Sequence, residues 1–380
     1  MESNETLNIL HLVNVRWYNA CAYYALELAA AQSDLGHRVI IAGDPETPVM
    51  ERADQRGLEV NTDLKLSSYF PHLLQNMRNL TEFVNSKKIG AVIAHRGEAH
   101  VAAALAKRFM GYNALLIRVR GDVRLPRNDI FNRFLYSGVT DGVICTTKKL
   151  KVSYKRAFNI ESERIAVIPA GIDFHHFSQP VETGLIREKL GLKSADKVVS
   201  ILGRLSPVKG HEVFVKMAGF INENIENAQF LIAGKEFEVT RDDLKSMMED
   251  FARRARFTVI AEVDDVREIL NVTDVAVIPS LDSEMIARTA LEFMAAGKPI
   301  VASDINALSE TVDSDRGGYL ITPADAEGFA EAVSLLLNDE QLRNEFGAYN
   351  KQRVKNNYAS EIWAKSSLDF VESIFELGYK

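Results

Sequence analysis

The chain has 380 residues, 47% hydrophobic and 26% charged, with 22 Gly and 10 Pro. This excludes collagen-like, low-complexity and disordered classes, and the length points to two domains with large cores. The formal net charge of −7 averages two unlike halves: residues 1–180 hold 22 Lys/Arg against 18 Asp/Glu, and residues 181–380 hold 23 against 34.

The start of the chain (residues 1–5) is acidic where a signal peptide is basic, and no apolar run approaches the roughly 18 residues of a membrane span. Cys21 and Cys145 stand alone, so neither a disulfide framework nor a cysteine-rich metal site is expected. Together these features predict a cytoplasmic location.

Short β-branched runs then alternate with helical patterns, the rhythm of parallel sheets covered by helices. Strands are predicted at 8–13, 38–42, 91–94, 115–119, 142–146 and 165–169, and again at 197–202, 229–233, 258–261, 275–279, 299–303 and 319–321. The fold class is therefore α/β, with two doubly wound, Rossmann-like domains. The expected bounds are 1–177 for the first domain and 178–360 for the second. A last helix, 361–380, either caps its own domain or crosses back to the first.

Within the first half, residues 87–156 carry 15 Lys/Arg against four acids. A solvated face and an anionic lipid surface or lipid-linked acceptor both fit this surplus. Nucleic acid is not expected, because neither aromatic interleaving nor a nucleic-acid motif is present. His95 ends a strand and reads either as a packed histidine or as a substrate contact. Residues 129–136 place Ile130, Phe131, Phe134 and Leu135 at helical spacing beside Arg127 and Arg133, as in an interfacial helix or a core stripe.

In the second half, Gly203-Arg204 closes an apolar strand and Lys209-Gly210 precedes a helix, so two cations of different geometry stand at a strand's carboxyl end, suited to a diphosphate. After the strand 275–279, a helix over 285–296 is predicted, capped by Asp282 or Ser283, with free amides to meet an anion. Glu284 and Glu292, with seven residues between them, are candidates for hydroxyl groups of one ligand. No G-x-G-x-x-G, P-loop, G-x-S-x-G or H-E-x-x-H occurs. Asp313-Ser314-Asp315 reads as a solvated loop rather than a metal site.

The set Gly203-Arg204-x4-Lys209-Gly210, Pro279-Ser280-x3-Glu284-x7-Glu292-x-Met294-Ala295-x-Gly297-x-Pro299 and Gly317-Gly318-Tyr319-Leu320 resembles the second domain of the retaining family 4 (group 1) glycosyltransferases, which have the GT-B fold. Gly36-His37-Arg38-Val39 and Pro169-Ala170-Gly171-Ile172-Asp173 extend the resemblance upstream.

The resemblance implies two domains facing across a cleft and transfer, with retention and without a metal or cofactor, from a nucleotide diphosphate sugar to a glycan or lipid-linked acceptor. The basic segment 87–156 adds, beside the reading as a solvated face, an anionic membrane surface as a candidate partner, with peripheral placement on its inner face. Arg204 and Lys209, with Gly203, would neutralise the diphosphate. Glu292 would bind ribose, and Glu284 with the backbone of Met285, Ile286 and Ala287 would hold the sugar. Arg120 stands where relatives carry a histidine-bearing loop, and it becomes a catalytic or anion-binding candidate. Asp122 becomes a candidate base and, with His95 and Asn19, a candidate acceptor or sugar contact, although an Arg120–Asp122 ion pair competes with a functional role.

Two departures bear on activity. The loop Arg16-Trp17-Tyr18-Asn19-Ala20-Cys21-Ala22 lacks the glycines that relatives place after the first strand, and Glu284-Met285-Ile286-Ala287 replaces E-G-F-G. Nucleotide-sugar epimerisation or hydrolysis, and a catalytically weakened binding or scaffold homologue, stay open as alternatives.

Overall fold

The computed structural model describes residues 6–66, 72–122, 124 and 127–378; the acidic start read above lies outside them. Two compact units emerge, one formed by Met1–Gly171 with Ser360–Lys380 and the other by Ile172–Ala359.

The first unit's described residues contribute β1 (Asn8–Leu12), β2 (Arg38–Ala42), β3 (Glu59–Asn61), β4 (Ala91–Ala94), β5 (Leu115–Arg120), β6 (Gly142–Cys145) and β7 (Ile165–Val167). They pair in the order β3-β2-β1-β4-β5-β6-β7, every pair parallel. Burial on both faces explains the runs of Val, Ile and Ala with no polar alternation, as in AVIA of β4. The strand β3 was not expected: three residues on a half-exposed edge are too few to show a period.

Helix Ala20–Asp34 begins where the Asn19 side chain accepts from the amides of Cys21 and Ala22. The terminal helix Ser360–Gly378 packs beside it, with Trp363 edge-on to Tyr24 at 4.7 Å between ring centroids. The interfacial stripe at 129–136 is not one helix. It begins as Ile130–Arg133 and widens into a π-helical turn over Phe134–Val139, which buries Leu135 and leaves Ile130 88% exposed.

The second unit contributes β8 (Lys197–Leu202), β9 (Ala228–Ala233), β10 (Arg256–Ile260), β11 (Val275–Ile278), β12 (Ile300–Ser303) and β13 (Gly318–Ile321), again all parallel, in the order β10-β9-β8-β11-β12-β13. Its first residue, Ile172, lies six positions ahead of the expected start. The Ile172 amide donates to the carbonyl of Tyr358 at 2.8 Å, and its side chain joins the core that includes Leu291, Phe293 and Val354, with Phe174 and Phe177 packed against it.

In both sheets the strand order reverses at one place, between β1 and β4 and between β8 and β11. Ligands of doubly wound sheets gather beyond the carboxyl ends at such reversals. Among the described residues, no helix is long and apolar enough to cross a membrane.

Candidate functional site

The reversal in the second sheet is where the predicted cations and acids meet. Gly203 follows β8 and its amide donates to Ala233 at 2.9 Å. Arg204, next in line, is exposed, with its guanidinium 4.6 Å from the Phe237 ring centroid and no carboxylate partner among the described residues. A short turn, Pro207–Lys209, then carries Lys209 toward β11, and Gly210 (φ 73) releases the chain into helix His211–Asn222.

Lys209 forms an ion pair with Glu284, whose Oε1 also accepts from the Ser280 hydroxyl at 2.8 Å. The Leu281 amide donates to Val208 at 2.9 Å, fastening the loop after β11 to the turn after β8. With Glu284 9% exposed, the lysine and the hydroxyl offset the cost of burying its carboxylate.

The expected helix over 285–296 starts three residues late. Helix Arg288–Ala295 is preceded by Ala287 in the left-handed region (φ 46), with no side-chain cap. Neither Asp282 nor Ser283 is its N-cap: Asp282 turns on itself, accepting from the Ser283 amide, and Ser283 has φ 82. Met285, Ile286 and Ala287 are thus buried in an irregular segment, 7%, 9% and 1% exposed. Glu284 lies outside the helix, its carbonyl accepting from the Ala307 amide at 2.8 Å.

Glu292 is inside the helix, 3% exposed, with Oε1 accepting from Arg288 Nε at 2.7 Å. Burial pushes the Glu292 carboxyl above its ordinary range, and the Arg288 charge opposes the rise.

Three buried groups beside the site could not be picked out from the sequence. Ser206 Oγ, His211 Nε2 and Ser303 Oγ have no hydrogen-bond partner among the described residues. Burial lowers the His211 imidazole to about 4, so it is neutral at neutral pH. Unsatisfied buried polar atoms at the end of a sheet call for a partner from outside the chain, a water or a ligand.

In the first unit, Arg120 ends β5, pairs with Asp122 at 2.9 Å and lies 5.2 Å from the Tyr154 ring centroid, its Nε unpartnered among the described residues. Neighbouring Arg118 is 1% exposed and donates to the carbonyls of Ala94 and Val119; no carboxylate faces it among the described residues. Asn19 spends its side-chain oxygen on the helix cap. His95 is buried and stacks on His11, at 5.1 Å between centroids. Among the described residues no group of three or more His, Cys, Asp or Glu is arranged to hold a metal.

The left-handed Ala287 gives a test of this geometry. Ala287→Gly removes about 1–2 kcal/mol of backbone strain, loses about 0.8 kcal/mol with the buried methyl and frees the unfolded chain by about 0.4–1 kcal/mol, so stability in denaturant should change by less than about 1 kcal/mol. Ala287→Val should cost at least about 2 kcal/mol, since a β-branched residue tolerates that conformation poorly. Equal stability of the two variants would contradict the left-handed backbone.

Comparison with known proteins matches residues 182–353 to the family model "Glycosyl transferases group 1" and residues 22–176 to "Glycosyltransferase Family 4". The chain is 26% identical over 279 residues to the Escherichia coli UDP-Gal:alpha-D-GlcNAc-diphosphoundecaprenol alpha-1,3-galactosyltransferase, across 71% of this chain and 72% of that protein. A glycosyltransferase from Rickettsia africae superposes with a TM-score of 0.87 at 18% identity, covering 97% of this chain and 99% of the other. HepE from Anabaena, solved with UDP and glucose, superposes with a TM-score of 0.79 at 18% identity, covering 97% and 100%. The shared fold is GT-B.

Proposed function

We propose that this chain, which belongs to the family 4, group 1 glycosyltransferases, transfers a hexose from a nucleotide diphosphate sugar to a lipid-linked or glycan acceptor, with retention of configuration and without a metal. The observation that carries this reading is the meeting of Arg204, Lys209 and Glu284 at the β8/β11 reversal. A diphosphate arriving there finds one unpaired guanidinium and one ammonium that it can draw from Glu284, which frees that carboxylate for a sugar hydroxyl.

In the reaction the anomeric C–O bond to the diphosphate breaks while the acceptor oxygen bonds to the same face. The acceptor's proton passes to the leaving phosphate oxygen, and the developing charge on the diphosphate is held by Arg204 and Lys209. Glu292 is assigned to the ribose hydroxyls. In the first unit Arg118 and Arg120 give the acceptor side a cationic character that suits a phosphate-bearing acceptor. Exposed Ile130 and Phe131 between Arg127 and Arg133 suit an anionic lipid surface. The diphosphate-lipid acceptor named for the Escherichia coli relative supports the same class here.

The test is nucleotide release from UDP-glucose, UDP-galactose, UDP-N-acetylglucosamine and GDP-mannose. Acceptors are prenyl-diphosphate N-acetylglucosamine, in anionic or zwitterionic vesicles, and the methyl glycosides of glucose, galactose and mannose. Release with one donor should persist in EDTA, give a product of retained configuration and rise on anionic vesicles. Arg204→Ala should weaken binding of that donor's nucleotide about tenfold or more. Binding unchanged by Arg204→Ala would overturn the donor assignment, and binding without release would turn the reading toward a scaffold.

A further inference from the structure

A buried chain of hydrogen bonds in the first unit fixes where one proton sits. Ser367, on the terminal helix, donates its only hydroxyl proton to the Ala364 carbonyl at 2.6 Å, because a carbonyl can only accept. Its oxygen can therefore only accept from Gln32, at 2.9 Å, which turns the Gln32 amide nitrogen toward Ser367 and the Gln32 oxygen toward His11. His11 Nε2, 2.8 Å from that oxygen, must carry a proton.

The His11 ring is fully buried, and desolvation lowers it to about 4, so at neutral pH it holds one proton and its Nδ1 is bare. His95 Nε2, 3.0 Å away, must then donate to it. With burial holding His95 neutral as well, its Nδ1 is left as a lone pair, and this atom has no partner among the described residues.

The bare atom is placed at the other reversal of strand order. His95 directly follows β4, its amide donates to Leu12 of β1 at 3.1 Å, and its carbonyl accepts from the Cys21 thiol at 3.2 Å. A lone pair buried without a donor is unfavourable, and a ligand hydroxyl offsets the loss.

We propose that Ser367, Gln32 and His11 hold His95 as its Nε2–H tautomer, so that His95 Nδ1 accepts a hydrogen bond from a hydroxyl of the glycosyl acceptor. The three are positioning residues acting through His95, and the terminal helix becomes part of the acceptor site's wiring. The acceptor role rests on the transferase reading above; the tautomer does not.

Two measurements on the full chain test it. Long-range proton–nitrogen NMR with labelled histidine should show His95 as Nε2–H at pH 7, and methyl glycosides should shift its Nδ1. Ser367→Ala and Gln32→Leu should mix the His95 tautomers; if Gln32→Leu does not fold, Ser367→Ala, which removes only a hydroxyl, still reports. Finding His95 as Nδ1–H in the wild type, or an unchanged tautomer in both folded variants, overturns the relay.

In transfer assays His95→Leu should lower kcat/KM for the acceptor about 100-fold while nucleotide affinity stays within about twofold, with His95→Asn, whose amide oxygen takes the place of Nδ1, recovering most of the loss. Unchanged acceptor kcat/KM in His95→Leu overturns the hydroxyl contact. A wild type with no turnover sinks the transferase reading instead, and the glycoside-induced Nδ1 shift then decides the contact, its absence overturning it.

Discussion

Lys209→Met is expected to reduce kcat about 10²–10³-fold, the size of loss that follows removal of one preorganised donor aimed at developing negative charge. The same substitution has a second effect that separates function from folding. Glu284 is 9% exposed and has Lys209 and Ser280 as its side-chain partners; without the lysine a nearly buried carboxylate keeps one hydroxyl donor. That should cost about 1–3 kcal/mol of stability in denaturant.

The double variant Lys209→Met/Glu284→Gln removes both charges, and it should regain most of that stability, because breaking a pair is worse than deleting it. It should stay inactive. If the double variant recovered turnover, or if Lys209→Met left both kcat and nucleotide affinity intact, the pair would be a structural strut and the diphosphate would have to be held elsewhere. Lys209→Arg should rescue little: the lysine meets Glu284 as a compact point charge from a short turn, and the planar guanidinium fork needs more room.

This pair also marks how far the sequence could be read. Arg204, Lys209, Glu284 and Glu292 were visible because each stands at a fixed distance from an apolar strand, and the parallel sheet carries that distance into space. What the intervening backbone does was not visible. The helix after Glu284 begins at Arg288 because Ser283 and Ala287 adopt positive φ, and nothing about serine or alanine announces a left-handed residue as glycine would. Ser280 carries no local signal of a role, yet tertiary packing makes it a hydrogen-bond donor to Glu284. His11 sat unremarked in a strand of apolar residues, since a partner 84 residues away leaves no trace in local pattern.

Gly210→Ala should be among the most damaging single substitutions in the second unit, and its cause is contact rather than volume. A Cβ there would lie 1.9 Å from the carbonyl oxygen and 2.8 Å from the carbonyl carbon of Pro279, at the end of β11, and φ is 73. Relief requires separating the turn that presents Lys209 from the loop that presents Glu284. The left-handed backbone alone costs about 1–2 kcal/mol, offset in part by about 0.4–1 kcal/mol from stiffening the unfolded chain. The clash adds to this, for a total near 2–4 kcal/mol and a fall in Tm of roughly 5–15 °C for a unit of this size.

Gly191→Ala separates the two contributions. Its φ is 67 and nothing lies within 4 Å of the added Cβ, so it should show the conformational cost alone, about 1 kcal/mol. Donor binding should be lost in Gly210→Ala at temperatures where the fold persists and kept in Gly191→Ala. Equal loss of stability in the two variants would mean that the β8 turn and the β11 loop can part freely, and the tight seat of Lys209 against Glu284 would have to be abandoned.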